Sequence, residues 1–230
     1  MESITRDWNP KQARLKEIIL KQDKFQEAIE LTLYMHSLVH SSEMSGKDTP
    51  TYEDDLWKGL DPGVFGSQHK QKGSTIAWNL WHLTRIEDLT ANILIAEDSQ
   101  VLNCGDWLDK MKVSVTDTGN SMNDSEIAEF SAQLDMLELR NYRIAVGRKT
   151  REILKKLIPK DMKRKVKPES IRRIWEEGGV TEAEQSRWLL EFWGKKTVAG
   201  IILMPITRHQ VVHINDSLKL KSKILVSPVL

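Results

Sequence analysis

Hydrophobic residues recur every three or four positions along most of the chain, which is the period of an amphipathic α-helix. Capping signals precede two of these patterns, with Ser74 or Thr75 before one and an Asn123–Glu126 capping box before another. Pro205 lies inside the last pattern and should kink or break its helix. Alternation typical of strands is hard to find. Long helices are therefore predicted at about 9–40, 74–96, 123–158 and 197–223.

The segments between these helices are long, and they carry short helical patterns of their own. In the 41–73 connection, a short helix is predicted at about Tyr52–Leu60. In the 159–196 connection, we predict a helix over Pro168–Glu177 and another one that Thr181–Glu184 would cap. The sequence therefore predicts an all-α fold for residues 1–230, a single four-helix bundle domain with long connections that carry short extra helices.

Composition and charge narrow the class of protein. Lys and Arg number 34 against 33 Asp and Glu, so the chain as a whole offers no positive field for nucleic acid. The single cysteine, Cys104, excludes an internal disulfide and a cysteine-based zinc site. The first residues carry no apolar leader pattern, and the longest apolar stretch, Val198–Ile206, is too short to span a bilayer. A soluble cytoplasmic protein without membrane contact is expected.

One segment departs from this neutral balance. Residues 148–176 contain twelve Lys and Arg and four Asp and Glu, a net charge of +8. Such a block could touch nucleic acid or an anionic cofactor. It contains one aromatic residue, Trp175, whereas nucleic-acid surfaces interleave several aromatic side chains with their cations. A solvated helix end and connector is the favoured interpretation.

The histidines give the chain its candidate chemistry. His209 and His213 are four residues apart, so they lie on one face of the last helix, which its apolar residues turn inward. His82 shares its helix face with Trp78 and also points inward. Buried imidazoles need partners, and a divalent cation supplies one while leaving a position open for water or substrate. The pattern leaves two alternatives open, a metal site and three core histidines bonded to nearby carbonyls.

Two polar residues lie close in sequence to these histidines. Asn79 is one turn before His82, and Asp216 is three residues after His213. Either side chain could orient an imidazole, as metal-bound histidine usually requires. Each is equally well explained as a polar residue of a helix surface.

His36 and His40 form a second pair with the same four-residue spacing and an inward face. They are either rival metal ligands or part of the lining of the same cavity, and a structural role, or one in supporting the metal ligands, is favoured. A zincin-type protease is excluded, because its helix needs Glu immediately after the first histidine of the pair, where this chain has Gln210.

The segments IAWNLWHLTRIED (76–88) and TRHQVVHIND (207–216), together with the order of the helices, resemble the DinB superfamily of metalloenzymes (DinB/YfiT-like). The resemblance implies a four-helix bundle with up-down-down-up topology. It also implies that one His on the second helix and an HxxxH-type pair on the fourth bind a divalent metal, Zn or Ni. By this resemblance, His82, His209 and His213 are the metal ligands.

The chain departs from the compact members of that superfamily in two respects. It is longer, with the excess at 41–73 and 159–196, and the pair of His36 and His40 lies outside the family motif. The polar lining of the cavity is therefore not fixed by the resemblance.

The resemblance implies a metal-dependent enzyme, a transferase or hydrolase that acts on a small-molecule substrate. Characterised members include thiol-S-transferases that use low-molecular-weight thiols such as bacillithiol, so thiol activation by the metal is the first hypothesis. No catalytic residue is assigned beyond the metal ligands. The alternative is a non-enzymatic metal-binding stress-response protein. A homodimer is expected. A third hypothesis, nucleic-acid binding through 148–176, is less favoured.

Overall fold

The computed structural model describes residues 4–226, and within this range the chain is all-helical, without a β-strand. The all-α prediction is therefore confirmed. The α-helices are α1 (Ile4–Ile18), α2 (Phe25–Leu38), α3 (Ser42–Ser45), α4 (Tyr52–Trp57), α5 (Pro62–Gly66), α6 (Ile76–Asp88), α7 (Trp107–Met111), α8 (Asp124–Gln133), α9 (Met136–Lys156), α10 (Pro168–Glu176), α11 (Glu184–Gly194), α12 (Val198–Ile201) and α13 (His209–Val226). Short 3-10 turns occupy Gln22–Lys24, His69–Gln71, Val101–Asn103 and Pro159–Lys163.

The first predicted helix consists of two helices, so the prediction of one continuous helix to about residue 40 was wrong. α1 begins at Ile4, upstream of the predicted cap, and it runs through Pro10. The turn at Gln22–Lys24 then separates α1 from α2. The polar run at 21–24 offers no apolar side chain to bury, and Leu20 beside it is 52% exposed. The turn allows the buried faces of α1 and α2 to pack against each other.

The third predicted helix is also broken, between α8 and α9. Asp135 caps α9, because its carboxylate accepts hydrogen bonds from the backbone N–H groups of Leu137 and Glu138 at 3.1 and 3.2 Å. It also pairs with Lys112 at 3.1 Å. Aspartate favours such a cap over a helix interior. The apolar rhythm continues across the break, and for that reason it predicted one helix.

Other capping predictions have mixed outcomes. Thr75 caps α6, and Asn123 and Glu126 form the predicted reciprocal box at the start of α8. The box predicted at Thr181–Glu184 does not form, because α11 begins at Glu184 without a side-chain cap. The Thr181 hydroxyl donates instead to the Ser121 hydroxyl at 3.1 Å.

Two segments next to the long helices are π-helical. Leu89–Ala96 continues α6, and Ile202–Arg208 leads directly into α13. The predicted disturbance at Pro205 is confirmed, since proline lacks the N–H that an α-helix would use there. Single π-helical turns often occur beside functional sites. Here the second one ends immediately before His209.

α6 is the central helix, and every one of its residues except Trp78 is buried. It packs against α9 and α13. A helix enclosed on all sides is usually apolar throughout, so its polar residues need partners inside the protein. These buried polar residues of α6 are Asn79, His82, Thr84, Arg85, Glu87 and Asp88. Among the helices described, none is long and apolar enough to cross a membrane.

Gly147 allows α9 to approach the end of α2, and this contact gives the first prediction. A Cβ atom at position 147 would lie 2.8 Å from both His40 Nδ1 and Met44 Cγ, and both side chains are buried. We expect Gly147→Ala to lower the free energy of unfolding by about 1–3 kcal/mol, measured by urea denaturation. Gly194→Ala is the matched control, because its Cβ would meet Ile171 at an ordinary 3.7 Å. Equal stability of the two variants would contradict the packing argument.

Candidate metal centre

The structure brings together the three histidines that the sequence singled out. His82 lies in the middle of α6, His209 begins α13, and His213 follows one turn later. Their ring centroids are 4.5–5.0 Å apart, and one nitrogen from each ring lies within 4.8 Å of the others. Tetrahedral zinc with Zn–N bonds of about 2.0–2.1 Å requires nitrogens roughly 3.4 Å apart. The group could therefore hold a metal ion after small side-chain movements.

His82 is held in one tautomer by the backbone. Its Nδ1 lies 2.8 Å from the carbonyl oxygen of Thr118. A carbonyl oxygen only accepts hydrogen bonds, so Nδ1 carries the proton and Nε2 keeps its lone pair in the neutral ring. That Nε2 is 3.1 Å from Nε2 of His209. The free lone pair of His82 therefore points into the histidine cluster.

The loop that supplies this carbonyl is held against α6 by hydrogen bonds to the carbonyl oxygens of four consecutive residues, 116–119. Side chains on one face of α6 donate to all four of them at 2.8–3.1 Å. The pairs are Trp78 with Gly119, Trp81 with Asp117, His82 with Thr118, and Arg85 with Thr116. From the sequence, core packing is the favoured role of Trp78 and Trp81, and their hydrogen bonds to the loop were missed. Backbone acceptors carry no sequence signal that could have revealed it.

His213 is oriented by a side chain rather than by the backbone. Its Nδ1 lies 3.2 Å from Oδ1 of Asn79, which leaves its other nitrogen, Nε2, for the cluster. Asp216, the other predicted orienting residue, is exposed, and its nearest charged partner is Lys219 at 3.8 Å. His209 Nδ1 is buried and has no hydrogen-bond partner among residues 4–226. Two of the three imidazoles are thus fixed by an oxygen acceptor.

Burial keeps these imidazoles neutral. Loss of hydration lowers the pKa of His82 to about 3, helped by the nearby His213 and opposed by the Thr118 carbonyl. Burial lowers the pKa of His213 to about 4, and it holds that of His209 well below its ordinary value. Neutral imidazole is the form that binds metals. The three imidazoles can therefore bind a metal at neutral pH without first losing a proton.

The second histidine pair has a different partner, which the sequence reasoning missed. His36 Nε2 and His40 Nε2 lie 2.8 and 2.9 Å from the two oxygens of Glu87, and all three side chains are fully buried. Glu87 lies five residues past His82, a position that predicts an ion pair with Arg85 or exposure to solvent, and this prediction was wrong. Burial raises the pKa of Glu87, but the two imidazoles outweigh it and hold the pKa well below its usual value.

The ionised carboxylate fixes the tautomer of both rings. It only accepts hydrogen bonds, so Nε2 of His36 and Nε2 of His40 must each donate a proton to Glu87. Binding a metal through these nitrogens would move the protons to Nδ1, where neither ring finds an acceptor in the described chain. One possible ligand atom from each of His36, His40 and Glu87 lies within 4.8 Å of the others, close enough for a metal site. Its hydrogen bonding favours an internal anchor between α2 and α6.

A cavity of about 300 Å³ opens over the first cluster. It brings together residues from α6, the loop after α7, α11 and the π-helical segment before α13. It is lined by His82, Ile86, Asn120, Trp188, Leu189, Phe192, Trp193, Met204, Pro205, His209 and His213. His36 and His40 do not line it, so the alternative in which they share one cavity with His82, His209 and His213 is not observed.

The basic segment at 148–176 has acidic partners from elsewhere in the chain. Lys149 pairs with Asp98 at 2.9 Å, and Glu97 pairs with Arg164 at 3.2 Å and with Lys167 at 2.7 Å. These contacts neutralise part of the net charge that suggested an anionic ligand.

Comparison with known proteins adds no assignment, since neither a scan against protein-family models nor a search of curated proteins found a match.

The contrast between Asn79 and Asp216 gives the second prediction. We expect Asn79→Ala to weaken zinc binding by about 10–100-fold, because His213 loses the acceptor that fixes its ring. Asp216→Asn should leave the dissociation constant unchanged, since this carboxylate pairs with Lys219 at the surface. Competition with a chromogenic zinc chelator measures both. Equal affinities for the two variants would show that Asn79 does not orient the ligand.

The low pKa values predict acid sensitivity of the metal-free protein. His40, His82 and His213 have pKa values of about 3, 3 and 4 in the fold, against 6.5 in the unfolded chain. Below about pH 6.5 these histidines bind protons in the unfolded state but not in the folded state, so a lower pH stabilises the unfolded state. The free energy of unfolding should fall by up to about 1.4 kcal/mol per pH unit for each histidine. Urea titrations of chelator-treated protein at pH 7, 6 and 5 measure this, and a flat profile would contradict it.

Proposed function

We propose that this chain is a metal-dependent enzyme of the DinB-like class, in which His82, His209 and His213 bind a divalent ion, Zn or Ni. In this proposal α2, α6, α9 and α13 are the four long helices of an up-down-down-up bundle. Residues 1–230 then form one domain, and a homodimer is expected. The sequence motifs around the three histidines support the class, and the cavity over them supports a small-molecule substrate.

The orientation of the three imidazoles carries the proposal. Thr118 and Asn79 hold the Nδ1 atoms of two rings, so their Nε2 atoms face the cluster, and the neutral rings adjoin an open cavity. His82, His209 and His213 would hold a divalent ion, which would lower the pKa of a bound thiol or water and so supply a nucleophile at neutral pH. The resemblance favours a thiol, such as bacillithiol, that is transferred to an electrophilic substrate. Hydrolysis is the other reaction within this class.

The second candidate is a metal-binding stress-response protein without catalysis. One observation favours it: among the described residues, the cavity lining contains no carboxylate, lysine or cysteine that could serve as a general base or nucleophile. Gln210, beside His209, is occupied by hydrogen bonds to the carbonyls of Leu83 and Pro205 and to Arg143. Under this candidate the ion would have a structural or sensory role.

Metal analysis with paired histidine variants tests the ligand assignment. We expect one zinc or nickel ion per chain after loading and gel filtration. His82→Ala should lose it, because two imidazoles remain. His40→Gln should keep it, because that ring donates to Glu87 and lies outside the site. Retention of the ion by His82→Ala, with its loss from His40→Gln, would contradict the assignment and show that the ion binds at His36, His40 and Glu87.

Turnover separates the two candidates. Zinc-, nickel- and manganese-loaded protein is incubated with a panel of thiols and electrophiles, and thiol consumption is followed. Metal-dependent turnover that His82→Ala abolishes supports the enzyme. Stoichiometric metal binding without turnover over the whole panel supports the non-enzymatic candidate.

A further inference from the structure

The cavity over the three histidines is lined by one side-chain amide, that of Asn120, which the proposed metal site does not use. Within the part of the chain that the structure describes, the remaining lining residues other than the imidazoles are aliphatic or aromatic residues, a methionine and a proline. Asn120 is half-buried, and its Nδ2 makes no hydrogen bond to the described residues. A few polar groups in a mostly apolar cavity commonly fix the orientation of a ligand.

The orientation of this amide is set by Thr118. The Thr118 hydroxyl donates a hydrogen bond to Oδ1 of Asn120 at 3.0 Å. Oδ1 is therefore engaged within the loop, and the two N–H donors of Nδ2 remain for the cavity. The carbonyl oxygen of the same Thr118 accepts the hydrogen bond from Nδ1 of His82 at 2.8 Å. One residue thus holds a proposed metal ligand and the free donor, so Asn120 lies at the His82 end of the cavity.

The loop that carries Thr118 and Asn120 is fixed on two sides. On one side α6 donates to four of its carbonyl oxygens. On the other side the loop contacts the connection between α10 and α11: the Thr118 N–H donates to the Gly179 carbonyl at 3.2 Å, and the Thr116 hydroxyl donates to the Gly178 carbonyl at 3.1 Å. A donor on such a preorganised loop loses little conformational freedom when it binds a ligand.

We propose that Asn120 is a specificity-determining residue, whose Nδ2 donates a hydrogen bond to an oxygen atom of the thiol bound at the proposed metal site. The inference rests on the proposed function and narrows its substrate class: the preferred thiol carries a carbonyl, hydroxyl or carboxylate oxygen within a few bonds of its sulfur. A thiol with a hydrocarbon body leaves the Asn120 donor without this bond. On binding, a sulfur–metal bond forms, the S–H bond breaks, and the proton passes to the solvent.

Calorimetric titration of the zinc-loaded protein with three uncharged thiols tests the inference. β-Mercaptoethanol and n-propanethiol differ only in a terminal hydroxyl against a methyl group, and N-acetylcysteamine presents a carbonyl oxygen farther from its sulfur. We expect Asn120→Ala to weaken binding of at least one oxygen-bearing thiol by about three- to tenfold, the usual contribution of one hydrogen bond, and to change n-propanethiol binding by less than about twofold. No greater loss for the oxygen-bearing thiols than for n-propanethiol would overturn the inference.

Two further variants separate the role of this amide from a general effect of truncation. Asn141→Ala removes the same group from the exposed surface of α9, outside the cavity lining, and should bind all three thiols as the wild type does. Thr118→Val removes the hydroxyl that orients Asn120 but keeps the carbonyl that binds His82. It should therefore retain zinc and lose part of the preference for oxygen-bearing thiols. An unchanged preference in Thr118→Val would contradict the orienting role of its hydroxyl.

Zinc content measured before each titration distinguishes failure of this inference from failure of the proposed function. Protein that holds no zinc, or that holds zinc and binds none of the thiols, defeats the proposed thiol chemistry and this inference with it. Protein that holds zinc at His82, His209 and His213 and binds thiols with the same preference after Asn120→Ala defeats this inference alone.

Discussion

The hydrogen bond from His82 Nδ1 to the Thr118 carbonyl is the contact on which the candidate site depends. It sets the ring tautomer, and thereby decides that a lone pair, rather than an N–H group, faces His209 and His213. The bond persists because three neighbouring side chains of α6 bind the adjacent carbonyls of the same loop. The Gly119 backbone permits this at φ +74°, with Trp78 Nε1 only 2.7 Å from where a Cβ would be. Loop and helix therefore act as one rigid support.

The two histidine pairs show that spacing alone does not determine chemistry. His36 and His40 share the i,i+4 geometry of His209 and His213, and all of them point inward, as the helical period predicts. What differs is the group that each ring meets. The Glu87 carboxylate requires N–H donors from His36 and His40. The Asn79 amide oxygen instead bonds to Nδ1 of His213 and leaves Nε2 of that ring free. A buried anion can thus turn a candidate ligand pair into a structural anchor.

The sequence predicted the features that local periodicity controls and missed those that tertiary contacts control. The long helices near the site, the Thr75 cap and the inward direction of His82 follow from residues close in the chain. The helix breaks at Asp135 although the apolar periodicity continues across it, so the capping preference of one side chain outweighs that periodicity. The partner of His40 is 47 residues away, and the acceptor for His82 is a backbone atom. Neither contact has a local signature.

The neutrality of the cavity connects its walls to its chemistry. Burial lowers the pKa values of all three imidazoles, so the protein itself places no charge beside the ligand. In such a poorly hydrated space, electrostatic interactions are less screened than in water. The apolar side chains of Trp188 and Phe192 limit hydration beside the histidines, so the charge of an ion bound there would act on a neighbouring group with little screening. The apolar surroundings that keep the three imidazoles neutral, and so able to bind an ion, would therefore also strengthen the effect of that ion on a bound thiol or water.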